Sequence, residues 1–131
     1  MASRNPKDCC QALQEIIPKV IADAKAIGII IVIYCTWRSL KEQMDAVKAG
    51  LSKRKFGAHN YVDDNNKPAS EAFDFYIDKF GKPLWSTASD TNQDGHPDYI
   101  QVGEIGKKYG LEYGGDWETF KDFDHLQIKG A

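Results

Sequence analysis

The sequence predicts an α+β fold: one small domain spanning residues 1–131, with a central antiparallel sheet flanked by helices. Three observations carry this expectation. The chain has 131 residues, the size of one ordinary domain, and 42% of them are apolar, enough for a packed core. A stripe of apolar residues at helical spacing near the N-terminus is followed at once by a β-branched run. Helical and strand patterns then mix without the regular alternation of a βαβ protein.

Each element has its own signal. Asn5-Pro6 with Asp8 reads as a helix start, with proline in the first turn. Leu13, Ile16, Ile17, Val20, Ile21 and Ala24 continue it as one apolar stripe, and Gly28 closes it. Pro18 lies inside that stripe and, lacking a backbone donor, is expected to kink or split the helix. Ile29 to Cys35 reads as a buried central strand. Ser39 and Glu42 form a capping box for a helix that ends near Ala49, with Gly50 as its stop. Residues from Leu51 to Ser70, including Lys53, Arg54 and Lys55, lack periodicity and read as a long loop of the kind that often serves function. A second strand is expected over Ala72–Ile77, a turn at Phe80-Gly81-Lys82-Pro83, and a polar loop from Thr87 to Asp98. Tyr99 to Tyr109 reads as a helix stopped by Gly110. Gly114-Gly115-Asp116-Trp117 reads as a turn, and Leu126–Ile128 as a short last strand.

Bulk properties narrow the function. A net charge of −2 without a basic stripe argues against nucleic acid as a partner. Cys9, Cys10 and Cys35 are an odd set, two of them adjacent; they read as free thiols rather than a disulfide framework or a zinc knuckle. The polar N-terminus lacks the apolar run of a signal peptide, and the run Ile27–Tyr34 is too short to span a bilayer. We therefore expect a soluble product made in the cytoplasm, without stable membrane association, and most simply a monomer.

Only three histidines are present: His59, His96 and His125. His59 lies in a polar loop, Asp74 in a predicted strand, and His125 just before another. Two imidazoles and a carboxylate, with a fourth position left for water, form a catalytic zinc set. Asp122, three positions before His125, can sit on the same side of a bend and act as general base. Arg38, beyond the first strand, can meet a developing oxyanion or pair structurally with Glu42. His96, beside Pro97, reads as a surface residue.

At these residues the chain resembles the zinc peptidases that include VanY-type D-alanyl-D-alanine carboxypeptidases and phage L-alanyl-D-glutamate endopeptidases. Three blocks carry the resemblance, in family order: Thr36-Trp37-Arg38-Ser39-Leu40-Lys41-Glu42-Gln43; then Gly57-Ala58-His59-Asn60-Tyr61 with Ser70-Glu71-Ala72-Phe73-Asp74; then Gly114-Gly115-Asp116-Trp117 with Asp122-Phe123-Asp124-His125-Leu126. The resemblance implies His59, Asp74 and His125 as zinc ligands, held between sheet and loops. It also implies Asp122 as general base and Arg38 as the group that stabilises the tetrahedral intermediate. It departs from the family pattern where Gly57 replaces a serine, Trp37 a tyrosine and Asp124 a proline, and in the longer spacing from His59 to Asp74. Asp124 is expected to loosen its turn and add a charge near the metal.

The implied function is a zinc-dependent peptidoglycan peptidase acting on the stem peptide. The small size and absent leader resemble a phage or prophage endolysin that reaches the wall after a partner opens the membrane. The L-alanyl-D-glutamate bond is then the favoured target. The alternatives are a D-alanyl-D-alanine carboxypeptidase and a non-catalytic wall-binding module. Separately, Asp90, Asn92, Asp94 and Asp98, with Gly95, match the opening of a calcium-binding loop, although Gln101 stands where a bidentate glutamate belongs. The competing reading is an acidic turn that bonds its own backbone.

Overall fold

The computed structural model describes residues 2–50 and 57–131; the Lys53-Arg54-Lys55 run lies outside them. Helix α1 (Gln11–Ala26) is followed by strand β1 (Ile30–Cys35), helix α2 (Leu40–Lys48), strands β2 (Ala72–Lys79) and β3 (Lys82–Leu84), helix α3 (Asp98–Lys108), and strands β4 (Leu111–Tyr113) and β5 (His125–Ile128). The strands form one antiparallel sheet in the order β1-β2-β5-β4, with β3 also paired to β2. This is the expected α+β domain.

The core lies on one face of that sheet. Leu13, Ile17, Val20 and Ala24 of α1 and Tyr99, Val102 and Ile105 of α3 pack with Ile31, Phe73, Phe75, Ile77, Leu111, Tyr113 and Leu126. Phe73, Phe75 and Ile77 alternate along β2, so Ala72, Asp74 and Tyr76 take its opposite face. The glycines of α3 make the packing close. A Cβ on Gly103 would lie 2.4 Å from the Tyr113 ring, and one on Gly106 would lie 2.6 Å from Leu126.

Several expectations are corrected. Pro6–Asp8 is a separate 3-10 turn capped by the Asn5 side chain, and α1 begins only at Gln11. Pro18 neither splits nor ends α1, which runs unbroken; the proline is exposed, so water can reach the carbonyl one turn earlier that loses its donor. The β-branched strand β1 is an edge and not the centre. Ile31 and Cys35 are buried, but Ile30 is 44% exposed, because helices cover only one face. Strand β2 is central. The turn after it is only Phe80-Gly81, both at positive φ (54° and 79°), as a two-residue hairpin needs. Lys82 and Pro83 already belong to β3, where Pro83 opposes Asp78 on a short strand that tolerates the missing donor. Strand β4 was not foreseen, since Leu111–Tyr113 is too short to show alternation. The capping box at Ser39 and Glu42 is present, and Gly50 ends α2 at φ 75°.

Candidate metal centre

Three segments converge on Asp74. Its register partner across the β2–β5 ladder is His125, so both side chains stand on the helix-free face. His59 arrives on a 3-10 turn, Ala58–Asn60, stitched to the sheet: Arg38 N–H donates to the His59 carbonyl (2.9 Å), and the Ser70 hydroxyl donates to the carbonyls of Ala58 and Ala72. The Gly57 N–H donates to the Asn60 side chain (2.8 Å), which itself donates to the Arg38 carbonyl. Gly57 has an extended φ of −159°, so nothing in its backbone demands glycine.

Hydrogen bonds behind each ring choose its tautomer. His59 Nδ1–H donates to the Thr36 carbonyl (2.7 Å), which leaves Nε2 facing Asp74 Oδ2 at 3.4 Å. His125 Nε2–H donates to Gln127 Oε1 (2.8 Å), which turns Nδ1 toward Asp74 Oδ1 at 2.9 Å. The imidazole rings lie 5.2 Å apart. All three residues are buried, Asp74 at 5% exposure, and His59 Nε2 has no hydrogen-bond partner. A buried carboxylate facing two imidazole lone pairs calls for a positive species between them. The local electrostatics couple His59 and Asp74. Burial opposes charge on both groups, but their mutual attraction wins, raising the His59 pKa well above its usual value and depressing that of Asp74. These donors fit a borderline divalent metal with nitrogen and oxygen ligands.

Asp74, Asp122 and His125 each offer a donor atom within 4.8 Å of one another, as do Cys35, His59 and Asp74. In the second set, Cys35 Sγ approaches His59 Nδ1 (3.8 Å), the nitrogen already committed to Thr36, so the thiol stands behind the ring. Asp122 lies on the open side, half-buried, with Oδ2 3.8 Å from His125 Nδ1. Gly114 shapes this bend: its carbonyl accepts from the N–H groups of Asp122 (3.0 Å) and Trp117 (3.2 Å). A Cβ there would lie 2.5 Å from the Asp122 carbonyl oxygen and 3.2 Å from His125 Cβ. Trp117, held by Glu112, packs its ring 5.1 Å from that of His125.

Of the sequence-derived residues, the structure sets Asp74, Asp122 and His125 in one donor group and brings His59 against Asp74 in a second. Arg38 sits just beyond β1, but its guanidinium donates to Gln43 Oε1 (3.3 Å) and makes no hydrogen bond or ion pair with the triad among the described residues. Asp124 does not add the expected charge. Burial, then its hydrogen bond to Asp122 and the repulsion of nearby carboxylates, push its pKa up to about 9, so it is neutral at pH 7. It accepts from the Tyr34 hydroxyl, and its carbonyl receives the Phe75 N–H, which ties the turn down instead of loosening it. Thr36 and Gln127, the groups that orient the imidazoles, carry no signal in the sequence: Thr36 acts through a backbone carbonyl that any residue offers, and Gln127 is simply the next residue on His125's face of β5.

The acidic loop gives no support to calcium. Asp90 accepts from the N–H groups of Asp94 and Gly95, Asp94 from those of His96, Asn92 and Gln101, and Asp98 from Thr91. Asn92 donates to the Ile27 carbonyl. These bonds close a turn and join it to the end of α1, while Asn92 Oδ1 and Asp98 Oδ1 keep no hydrogen-bond partner among the described residues. His96 is exposed, as expected.

A groove of about 780 Å³ is lined by Trp37, Leu40, Asn60, Tyr61 and Glu71 among others, and none of His59, Asp74, Asp122 or His125 lines it. No helix among the described residues is long and apolar enough to cross a membrane.

Comparison with known proteins points the same way. Residues 69–128 match the M15 peptidase family model described as D-alanyl-D-alanine carboxypeptidase. The chain is 38% identical over 111 residues to the peptidoglycan L-alanyl-D-glutamate endopeptidase CwlK of Bacillus subtilis (strain 168). That match covers 77% of this chain and 62% of the relative, so the chain spans under two thirds of that relative's length. The fold matches the crystal structure of the Serratia marcescens L-Ala D-Glu endopeptidase ChiX with a TM-score of 0.62 at 21% identity, over 98% of this chain and 88% of that one. The resemblance read from the three sequence blocks is borne out, in sequence and in fold.

Proposed function

From that kinship we propose that the chain is a zinc-dependent peptidoglycan peptidase that hydrolyses the L-alanyl-D-glutamate bond of the stem peptide. The observation that carries the reading is the buried Asp74 carboxylate, with His59 Nε2 at one oxygen and His125 Nδ1 at the other, and both imidazoles oriented from behind. These three atoms' residues would hold zinc, which when bound supplies Lewis acidity toward a carbonyl and toward water. Asp122 takes the proton of the attacking water at its carboxylate and returns it to the leaving amine. Arg38, held beside His59 through its backbone, swings from Gln43 to meet the developing oxyanion.

The names of the relatives favour the endopeptidase reading, and the description of the family model favours a second one, removal of terminal D-alanine. We further read the chain as a phage or prophage endolysin acting on the wall after release. Digestion of purified peptidoglycan, followed by mass spectrometry, separates the two reactions. Chelator-sensitive release of new D-glutamate amino termini is the expected result. Loss of terminal D-alanine alone supports the carboxypeptidase, and no cleavage after zinc addition removes both.

A further inference from the structure

We propose that Trp85, braced by Tyr34 and Tyr76, is a platform on which the muramoyl sugar next to the scissile bond stacks, so that the enzyme reads glycan as well as peptide. The proposal rests on the endopeptidase reading above. The three rings form one cluster: Tyr34–Trp85 edge-on at 5.4 Å, Tyr76–Trp85 at 5.4 Å and Tyr34–Tyr76 at 6.1 Å. Trp85 is nonetheless 55% exposed, a large apolar surface left in water. The cluster is not in the core. Tyr76 shares the helix-free face of β2 with Asp74, and Tyr34 bonds Asp124, the neighbour of His125. The platform is therefore continuous with the metal centre.

Its position is also fixed. The Tyr99 hydroxyl, from α3 across the sheet, donates to the Leu84 carbonyl (2.5 Å) and accepts from the Ile77 N–H (3.2 Å). That pins the backbone immediately before Trp85, so the ring is positioned before any ligand arrives.

Spacing chooses the occupant. Tyr76 lies two positions beyond Asp74, about 7 Å along β2. In peptidoglycan, L-alanine is the first residue of the stem and its amine is acylated by the lactyl group of the muramoyl sugar. One extended residue, roughly 3.4 Å, plus that short linker spans a similar distance. A sugar ring offers an apolar face for an aromatic surface, and its hydroxyls find the Tyr76 hydroxyl, which bonds no other group among the described residues.

The test compares two substrates that share one stem tetrapeptide, one free and one carried on the N-acetylglucosaminyl-N-acetylmuramoyl disaccharide. For zinc-loaded Trp85→Ala we expect kcat/KM to fall about tenfold on the disaccharide peptide, mainly through KM, with the free peptide changed less than about twofold. Trp85→Phe should recover most of the loss. Separately, the peptide-free disaccharide should quench tryptophan fluorescence in the unaltered protein and not in Trp85→Ala. Equal loss on both substrates, or no loss on either, overturns the platform. If the unaltered protein cleaves neither substrate, the peptidase reading falls, and the quenching measurement still decides whether the sugar binds at Trp85.

Discussion

Asp122 is the carboxylate of the candidate centre that remains partly open to solvent, and its oxygen lies near the nitrogen of His125 that faces Asp74. Asp122→Ala is expected to keep bound zinc, measured by mass spectrometry of the metal, while turnover falls about 10²- to 10⁴-fold, the usual worth of a positioned base. Normal turnover would remove that assignment. Asp124 makes a different prediction. Between the ordinary aspartate pKa of about 3.9 and its folded value of about 9, the folded chain holds a proton that the unfolded chain releases. Folding therefore loses stability as pH rises through that window. Asn offers the same pattern of one donor and one acceptor without the proton. In metal-free protein, Asp124→Asn should raise the melting temperature more at pH 8 than at pH 5; an equal change at both would refute a neutral buried acid. The candidate ligands can be named from the sequence because histidine is scarce and the blocks keep their order. The neutrality of Asp124 was not, since it arises from Tyr34 and Asp122, which the fold brings to it.

The elements show where local pattern suffices and where it fails. Ser39 and Glu42 announced α2, and the amphipathic stripe announced α1, because each signal sits within one turn or one face. Strand β1 was read as central from its apolar run, but an edge strand needs only one dry face, and chain order alone does not reveal pairing. The glycines in α3 carried no clear message in the sequence either; they are explained by Tyr113 and Leu126 seated against the helix. Gly103→Ala should cost about 1 to 3 kcal/mol by overpacking, read by denaturant titration, without altering metal content. Gly114→Ala should act the opposite way. Its added methyl meets the Asp122 carbonyl and His125, so activity should fall more than stability. A variant that melts early yet turns over normally per folded molecule would contradict this.

Across the whole molecule, the candidate centre joins parts of the chain far apart in sequence: His59 from a 3-10 turn, Asp74 from the middle strand and His125 from the last. A metal held by all three binds only the folded state, so chelation should lower the melting temperature, by roughly 5 °C or more when free metal exceeds its Kd a hundredfold. An unchanged transition would mean that the set does not bind the ion tightly. The sheet that carries this centre divides labour by parity. Odd positions Phe73, Phe75 and Ile77 of β2 build the core, and the opposite face carries Asp74 of the candidate centre. Heredity inherits that division as a reading frame in space. Substitutions at Phe73 or Phe75 bear on endurance, whereas those at the half-buried Tyr76, on the other face, can drift with little effect on the core. A single inserted or deleted residue between Ala72 and Ile77 has no such freedom, because it would turn Asp74 toward the helices and the phenylalanines toward water in one step. Length variation among descendants of this chain should therefore gather in its loops and spare this strand.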